Sequence, residues 1–321
     1  MKRFYVGIDT SNYTTSCALF EASECRLYSN VKCLLGVKEG ERGLRQSDAV
    51  FAHVKNLPAV TAEALADIES DSLCAVGVSV SPRDNEGSYM PCFLTGEAAA
   101  STLANGAGKP LHRFSHQAGH IAAAVFSSGS PDLLTREFVA FHVSGGTTEL
   151  LSVRPKAVGF DIEKLGGTLD LNAGQAIDRV GVAMGLTFPC GPALEGLAIA
   201  NTEPLPKPKL SVNGCECNLS GVENKAATLL TGGRSREYTA AYVLEFVGRS
   251  LIELAKNAVS GRDVPVLFAG GVMSNSIIKD MIKKQGFDAR FAEPRFSSDN
   301  AVGTVLLCAA AEEGWSFWTD K

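Results

Sequence analysis

Hydrophobic and polar positions along this chain follow one pattern that is used twice. Near the amino end, "RFYVGID" and "TSCALFEA" alternate as strands do, "TSNYT" turns between them, and "CRLYSNVK" is a third strand. The period then lengthens through "DAVFAHVKNLPAVTAEALADI", a helix. The buried strand "LCAVGVSVS" and the helix-forming "GEAAASTLANGA" come next. A similar order returns later: strand "FVAFHVS", turn "GGT", strand "TELLSVRP" and a third strand near "VGFDIEKLG". Helices are predicted at "LNAGQAIDRVGVAMGL" and "YTAAYVLEFVGRSLIELAKNAV". After these come the strand "VPVLFAGG", the helix "NSIIKDMIKKQG", the strand "ARFAEP" and a last helix, "DNAVGTVLLCAAAEE".

Two successive units of this kind predict an α/β fold of two related lobes, with ligands at the carboxyl ends of the strands in the cleft between them. The expected boundaries are an N-terminal lobe over 1–108, completed by a C-terminal helix over 299–321, and a C-terminal lobe over 109–298. The proline-bearing stretch "NTEPLPKPKLSVNG" reads as an exposed connection inside the second lobe.

Composition narrows the classes. Of 321 residues, 45% are hydrophobic and 20% charged, enough apolar material for a large core. No apolar run approaches the roughly 20 residues of a membrane span, and "MKRFYVGIDTSNYT" has no signal-peptide core. A cytoplasmic protein with no membrane partner is expected. Nine scattered cysteines read as reduced, buried thiols. Cys215 and Cys217 stand close in "NGCECNLS", but no second pair has zinc-site spacing. A net charge of −5 argues against a surface built wholesale for nucleic acid, despite basic clusters in "KDMIKKQ" and "GGRSRE".

Candidate chemistry sits in the turns. Asp9, Thr10 and Ser11 stand where a plain hairpin needs only glycine or asparagine, and Ser144, Gly145, Gly146 and Thr147 occupy the equivalent turn of the second unit. Small residues with N–H and hydroxyl donors suit phosphate oxygens, which need close backbone approach. Gly270 and Gly271 in "LFAGGVMSN" end a buried strand where an adenine or ribose could rest, with Asn275 capping the next helix. In "FSHQAGHIAAA", His116 and His120 share one helix face and could converge on an ion. A metalloprotease would need a glutamate beside the first histidine; Gln117 stands there and cannot act as a base. His142, in "AFHVSGG", is a third candidate imidazole, on the same strand face as Ser144. Asp299, in "SSDN", reads in isolation as a cap opening the last helix.

Long ordered stretches carry a resemblance: "GIDTS", "GLRQSDAVFAHVKNLP", "HQAGHI", "VSGGTTEL", "LGGTLDLNAGQAIDRVGVAMGL", "FPCGPALEGLA", "NLSGVENK", "FAGGVMSN" and "SSDNAVG". On these the chain resembles the catalytic-subunit family of tRNA N6-adenosine threonylcarbamoyltransferase, once labelled sialoglycoproteases, within the actin-like/sugar-kinase/Hsp70 ATPase superfamily. The resemblance implies metal ligands at His116, His120 and Asp299, and substrate contacts at Val143 to Thr147, Asp178, Gly191 and Asn275. It implies His142 as a fourth ligand, where archaeal and eukaryotic members have a metal-binding tyrosine. It also implies transfer of a threonylcarbamoyl group from threonylcarbamoyl-adenylate to N6 of the tRNA adenosine next to the anticodon, with release of AMP. The implied cofactors are one Zn²⁺ or iron and ATP or an AMP-containing adenylate; the implied partners are tRNA, a smaller pseudo-catalytic relative and an ATPase. The chain departs from the family pattern at "PRDNEGSYMP", where a "GPG" turn is usual, at Gly167 and Gln175, where acidic residues are typical, and at Asp9, where many members carry glutamate. Two alternatives stay open on these departures: a carbamoyl- or phosphoryl-transferring paralogue acting on a small molecule, and a non-catalytic partner subunit.

Overall fold

The computed structural model describes residues 2–11, 13–36, 44–66, 68–296 and 298–319. Asn12 of the first turn, and Ser297, Asp320 and Lys321 at the edges of the expected C-terminal segment, lie outside them. The chain divides into two compact units, one of Met1–Arg136, Pro155–Asp161 and Arg295–Lys321, the other of Glu137–Arg154 and Ile162–Pro294.

The first unit is built on a five-stranded sheet. Strands β1 (Phe4–Ser11), β2 (Thr14–Glu21) and β3 (Arg26–Leu34) form an antiparallel meander, and β4 (Leu73–Ser81) and β5 (Leu111–Ser115) extend it in parallel, giving the order β3-β2-β1-β4-β5. Alternation along β1 sorts its side chains between two cores. Phe4, Val6 and Ile8 pack with Leu57, Val60, Ala100 and Ala104 of helices α1 (Gln46–Ala64) and α2 (Phe93–Ala107). Tyr5 faces the other way, onto the late helix Val302–Glu313, which also meets α3 (His116–Ser127). That helix lies unusually close. A Cβ on Gly7 would sit 2.6 Å from the Val305 nitrogen, and one on Gly77, its register partner on β4, 2.7 Å from Cys308 Cβ. A Cβ on Gly303 would sit 1.7 Å from the Gly119 carbonyl oxygen, so α3 and the late helix cross backbone to backbone.

The second unit repeats the plan. Strands β6 (Phe138–Val143), β7 (Thr148–Pro155) and β8 (Phe160–Thr168) form the meander. After the short β9 (Val212–Asn213) and β10 (Glu216–Cys217) come β11 (Val266–Ala269) and β12 (Ala289–Phe291). The order β12-β11-β6-β7-β8-β10-β9 contains β8-β7-β6-β11-β12, strand for strand the order of the first sheet. The helices are α4 (Ala173–Ala183), α5 (Gly191–Ile199), α6 (Gly221–Thr231), α7 (Arg236–Val259) and α8 (Ser276–Lys283). The core gathers Phe141, Leu150, Leu194, Leu244, Leu251 and Phe268, all at most 1% exposed.

The expected two-lobed α/β fold is therefore present, with its boundaries shifted: Pro155–Asp161 returns to the first unit, and the C-terminal piece begins at Arg295. The first unit runs past residue 108 to Arg136, because β5 pairs with β4 and α3 packs on the late helix. The sequence pattern does not predict the strands β5, β9 and β10 or the helices α5 and α6. Among the described residues, no helix is long and apolar enough to cross a membrane.

Candidate metal centre and nucleotide cavity

Strand β5 passes straight into α3: Ser115 ends the strand, and its hydroxyl accepts from the Ala118 N–H at 3.1 Å as the helix cap. His116 and His120 consequently stand one turn apart, rings 4.3 Å between centroids. The third group arrives from the other end of the chain. The late helix does not begin at Asp299, as the sequence suggested, but at Val302. The N-cap is Ala301, and Asn300 before it ties down the helix entry: its side-chain oxygen accepts from the Val302 N–H at 2.9 Å, and its amino group donates to the Phe296 and Ser298 carbonyls. Asp299 is thereby left for the histidines.

His116 Nε2 and His120 Nε2 are 2.9 Å apart, and Asp299 Oδ1 lies 3.3 Å from His120 Nε2 and 3.6 Å from His116 Nε2. Ligands about 2.0–2.1 Å from a tetrahedral ion are about 3.4 Å from one another. The spacing therefore fits one first-row ion, and imidazole with carboxylate suits zinc or iron. Behind the cluster, fully buried Asp9 Oδ1 lies 2.9 Å from His116 Nδ1. A proton on Nδ1 donated to Asp9 leaves Nε2 as the ligand atom, the carboxylate–histidine arrangement that orients metal-bound imidazoles.

The electrostatics follow from this crowding. Burial opposes the charged form of His116, but Asp9 and Asp299 outweigh it and raise its pKa to about 10. Burial would push Asp299 up, yet its bonds to His116 and His120 hold it well below the usual carboxylate range. Asp9 is also lowered, burial being overcome by His116.

Asp9, expected at a nucleotide, is thus committed to His116. Thr10 points to the opposite face, where its hydroxyl donates to the Cys92 carbonyl and accepts from the Gly96 N–H, pinning β1 to α2. Ser11 is buried, and its N–H donates to Asp9. His142 belongs to the second unit, on β6, in register with Glu149 of β7 and Ala269 of β11.

In the second unit the turn after β6 is open. The Ser144 hydroxyl accepts from the N–H groups of Gly146 and Thr147, and the Ser144 N–H donates to the Thr147 carbonyl, so part of the expected donor set is spent inside the turn. Helix α4 fixes this turn from below. The Gly174 N–H donates to the Ser144 carbonyl at 3.1 Å, and a Cβ on Gly174 would lie 2.7 Å from the Gly145 backbone. Added Cβ atoms at Gly145, Gly146, Gly191 or Gly271 meet nothing within 4 Å. Gly145, Asp178, Gly191, Gly271 and Asn275 line one cavity of about 280 Å³, near the lower end of ordinary ligand pockets, roughly 300 Å³. Asp178 accepts from the Cys190 N–H at 2.8 Å, holding the loop before α5. The Asn275 side-chain oxygen caps α8 by accepting from the Ile278 N–H, as expected.

Val143 and Gly270 serve the frame instead. Val143 is fully buried, and a Cβ on Gly270, at φ +106°, would lie 2.2 Å from the Val143 carbonyl oxygen. Glu195, Ile177 and Pro189 also line the cavity and were not singled out from the sequence. Glu195 accepts from Ser276 at the start of α8; only its place in the quoted "FPCGPALEGLA" stretch marked it. Two departures from the family pattern have structural explanations. Gly167, at φ +140°, leaves no room for a side chain, since its Cβ would be 2.2 Å from the Thr148 carbonyl oxygen. Gln175 closes a capping box with Asn172 at the start of α4.

Known proteins place this geometry. A tRNA N6-adenosine threonylcarbamoyltransferase of Thermus thermophilus is 30% identical over 313 residues, 95% of this chain and 91% of that one. A probable bifunctional tRNA threonylcarbamoyladenosine biosynthesis protein of Thermoplasma acidophilum is 29% identical over 92% of this chain, which spans only 54% of that relative. Among solved structures, component A of the (R)-2-hydroxyglutaryl-CoA dehydratase of Acidaminococcus fermentans superposes with a TM-score of 0.55 at 14% identity, over 96% of this chain and 99% of that one. A ROK family glucokinase from Streptomyces griseus, in complex with glucose and AMPPNP, gives 0.53 at 11%, over 94% and 98%. These two likenesses are of fold alone. The family model for tRNA N6-adenosine threonylcarbamoyltransferase matches residues 39–304, and the chain belongs to that family.

Proposed function

We propose that the chain transfers a threonylcarbamoyl group from threonylcarbamoyl-adenylate to N6 of the tRNA adenosine next to the anticodon, releasing AMP. The observation that carries this reading is the cluster of His116, His120 and Asp299 with Asp9 behind it, in a chain of this family. A Zn²⁺ or iron ion held by these residues would supply Lewis-acid polarisation of the carbamoyl carbonyl. Asp9 keeps His116 Nε2 turned toward the ligand position, and Asn300 keeps Asp299 clear of the helix end. In the second unit, Gly145 and Gly271 let the AMP portion approach the backbone, while Asn275 retains its amino group for hydrogen bonding. His142 is the fourth ligand of this reading. The adenosine amino group is the nucleophile, so no activated serine or cysteine is needed.

ATP or the adenylate is the nucleotide of this reading, and the smaller pseudo-catalytic relative and the ATPase are its partner proteins, in the cytoplasm. The Thermoplasma relative is a probable bifunctional protein, which supports a second activity working beside this one. The test supplies purified protein and those partners with tRNA, threonine, bicarbonate, ATP and the activating enzyme, then digests the tRNA for mass spectrometry. Threonylcarbamoyladenosine is the expected product. Its absence with the partners present favours a small-molecule acceptor, the reading supported by the exposed 82–91 loop, where the Arg83 N–H donates to the Ser88 hydroxyl.

A further inference from the structure

The second unit has another cavity, larger than the one above at about 780 Å³, formed by the proline-bearing segment near 206–211, the start of α6 and the middle of α7. Its charged lining is three lysines, Lys207, Lys209 and Lys225, against one acid, Asp170. In a chain of net charge −5 this is a local inversion.

The lysines are held out and left uncompensated. Pro206 and Pro208 restrict the backbone around Lys207 and Lys209; Pro208 is buried, while the lysines on either side of it are exposed. None of the three has an ion pair among the described residues. The nearest acids in sequence are engaged elsewhere: Glu203 with Arg234 at 2.8 Å, and Glu223 with Arg179 at 3.3 Å. Asp170 accepts from the N–H groups of Leu171, Leu219 and Ser220, so its charge is turned onto the entry to α6. Tyr242, with its ring buried, also lines the groove beside Ser211, Asn218 and Ser220, adding neutral hydroxyl and amide donors.

We propose that this groove binds the sugar-phosphate backbone of RNA and seats the tRNA acceptor. The inference rests on the reading of tRNA as substrate given above, and adds the surface that holds it. Lysines act on phosphates as point charges, and such contacts set register without reading sequence. The buried aromatic rings offer no face for stacking, so the groove takes backbone rather than unstacked bases. Binding there is therefore tolerant of sequence and steep in salt.

Fluorescence anisotropy with a labelled tRNA transcript, from 50 to 200 mM KCl, tests this on the full chain with its metal. Replacing Lys207, Lys209 and Lys225 together by alanine should weaken binding at least tenfold at about 100 mM salt and reduce the slope of log K against log salt by about 2 to 3. AMP affinity and metal content should stay at wild-type values. The triple arginine variant should bind as wild type does. Removing Lys164, which pairs with Glu149, and Lys279 and Lys283, which lie over the Phe291 ring, takes the same charge from other parts of the unit and should change the slope little. An unchanged affinity and slope in the groove variant, or equal losses from both triple-alanine variants, would overturn the groove while leaving tRNA as the acceptor. A wild-type chain that binds no tRNA at 50 mM KCl would overturn both.

Discussion

The last residues of β1 and the turn after β6 hold corresponding places in two copies of one topology, yet they have opposite fates. The first is closed: Asp9 and Thr10 are fully buried, one bonded to His116 and the other to α2. The second is open: Gly145 and Gly146 are exposed, and their side-chain positions face empty space. The packing partner makes the difference. Against β1 lie α3 and the late helix, drawn in by Gly7, Gly77 and Gly303, and Asp9 finds its partner within that packing, on His116. Beneath the second, Gly174 of α4 braces the backbone from one side only. A duplicated scaffold thus offers one buried polar cluster suited to an ion and one shallow cavity suited to a nucleotide.

Breaking one half should spare the other. The largest effect is expected from Gly303→Ala, whose new methyl would collide with the Gly119 carbonyl. Displacing the late helix should cost about 3 kcal/mol, lower the denaturant midpoint and strip the metal, while calorimetry still records AMP binding. His116→Ala or Asp299→Ala should retain less than about a tenth of wild-type metal by elemental analysis, because each removes one of the three groups clustered in the first unit. Asp9→Asn keeps the shape but removes the charge behind His116, and metal affinity should fall roughly 10- to 100-fold, read by competition with a chelator. Gly271→Trp attacks the other half: AMP affinity should drop at least about tenfold by blocking backbone approach, with metal content unchanged. The smallest change is expected from His142→Ala, a partial loss of metal affinity and an altered coordination shell by X-ray absorption; full occupancy in an unchanged shell would leave His142 a strand residue.

The sequence made the repeated meander legible because its strands alternate over eight or nine residues in β1, β2 and β3 and bracket short polar turns. The HxxxH spacing marked the α3 ligands for the same reason, since helical period alone places them together. What lacked a period was missed. Strand β5, five residues reading "LHRFS", has no clean alternation, and its pairing with β4 carries residues past 108 into the first unit. Helices α5 and α6 open on Gly191-Pro192 and Gly221 and carry no clean apolar stripe, α5 burying only Leu194 and Ala198, which hides Glu195; the shorter α8 is legible because its stripe is clean. Asp9 looked like a phosphate-loop residue because its partner, His116, lies 107 positions away. Long-range pairing of that kind leaves no local trace. The helix start expected at Asp299 falls two residues later, with Ala301 as N-cap and Asn300 bonded to the Val302 N–H, because Asp and Asn in adjacent positions read equally well as caps.

The second unit is an insertion: in chain order it falls between α3 and the late helix. A ribosome adding about 5–20 residues per second needs roughly 10 to 40 s to make the approximately 180 residues between His116 and Asp299. Through that interval the nascent first unit has two of its three ligands, and the glycine faces of β1 and β4 await the helix that covers them. On the proposed metal site, tight retention of the ion would therefore begin only when the late helix has docked. In the cell, loading with the ion would work as a proofreading step on synthesis, sorting finished chains from those that stalled or lost their last segment.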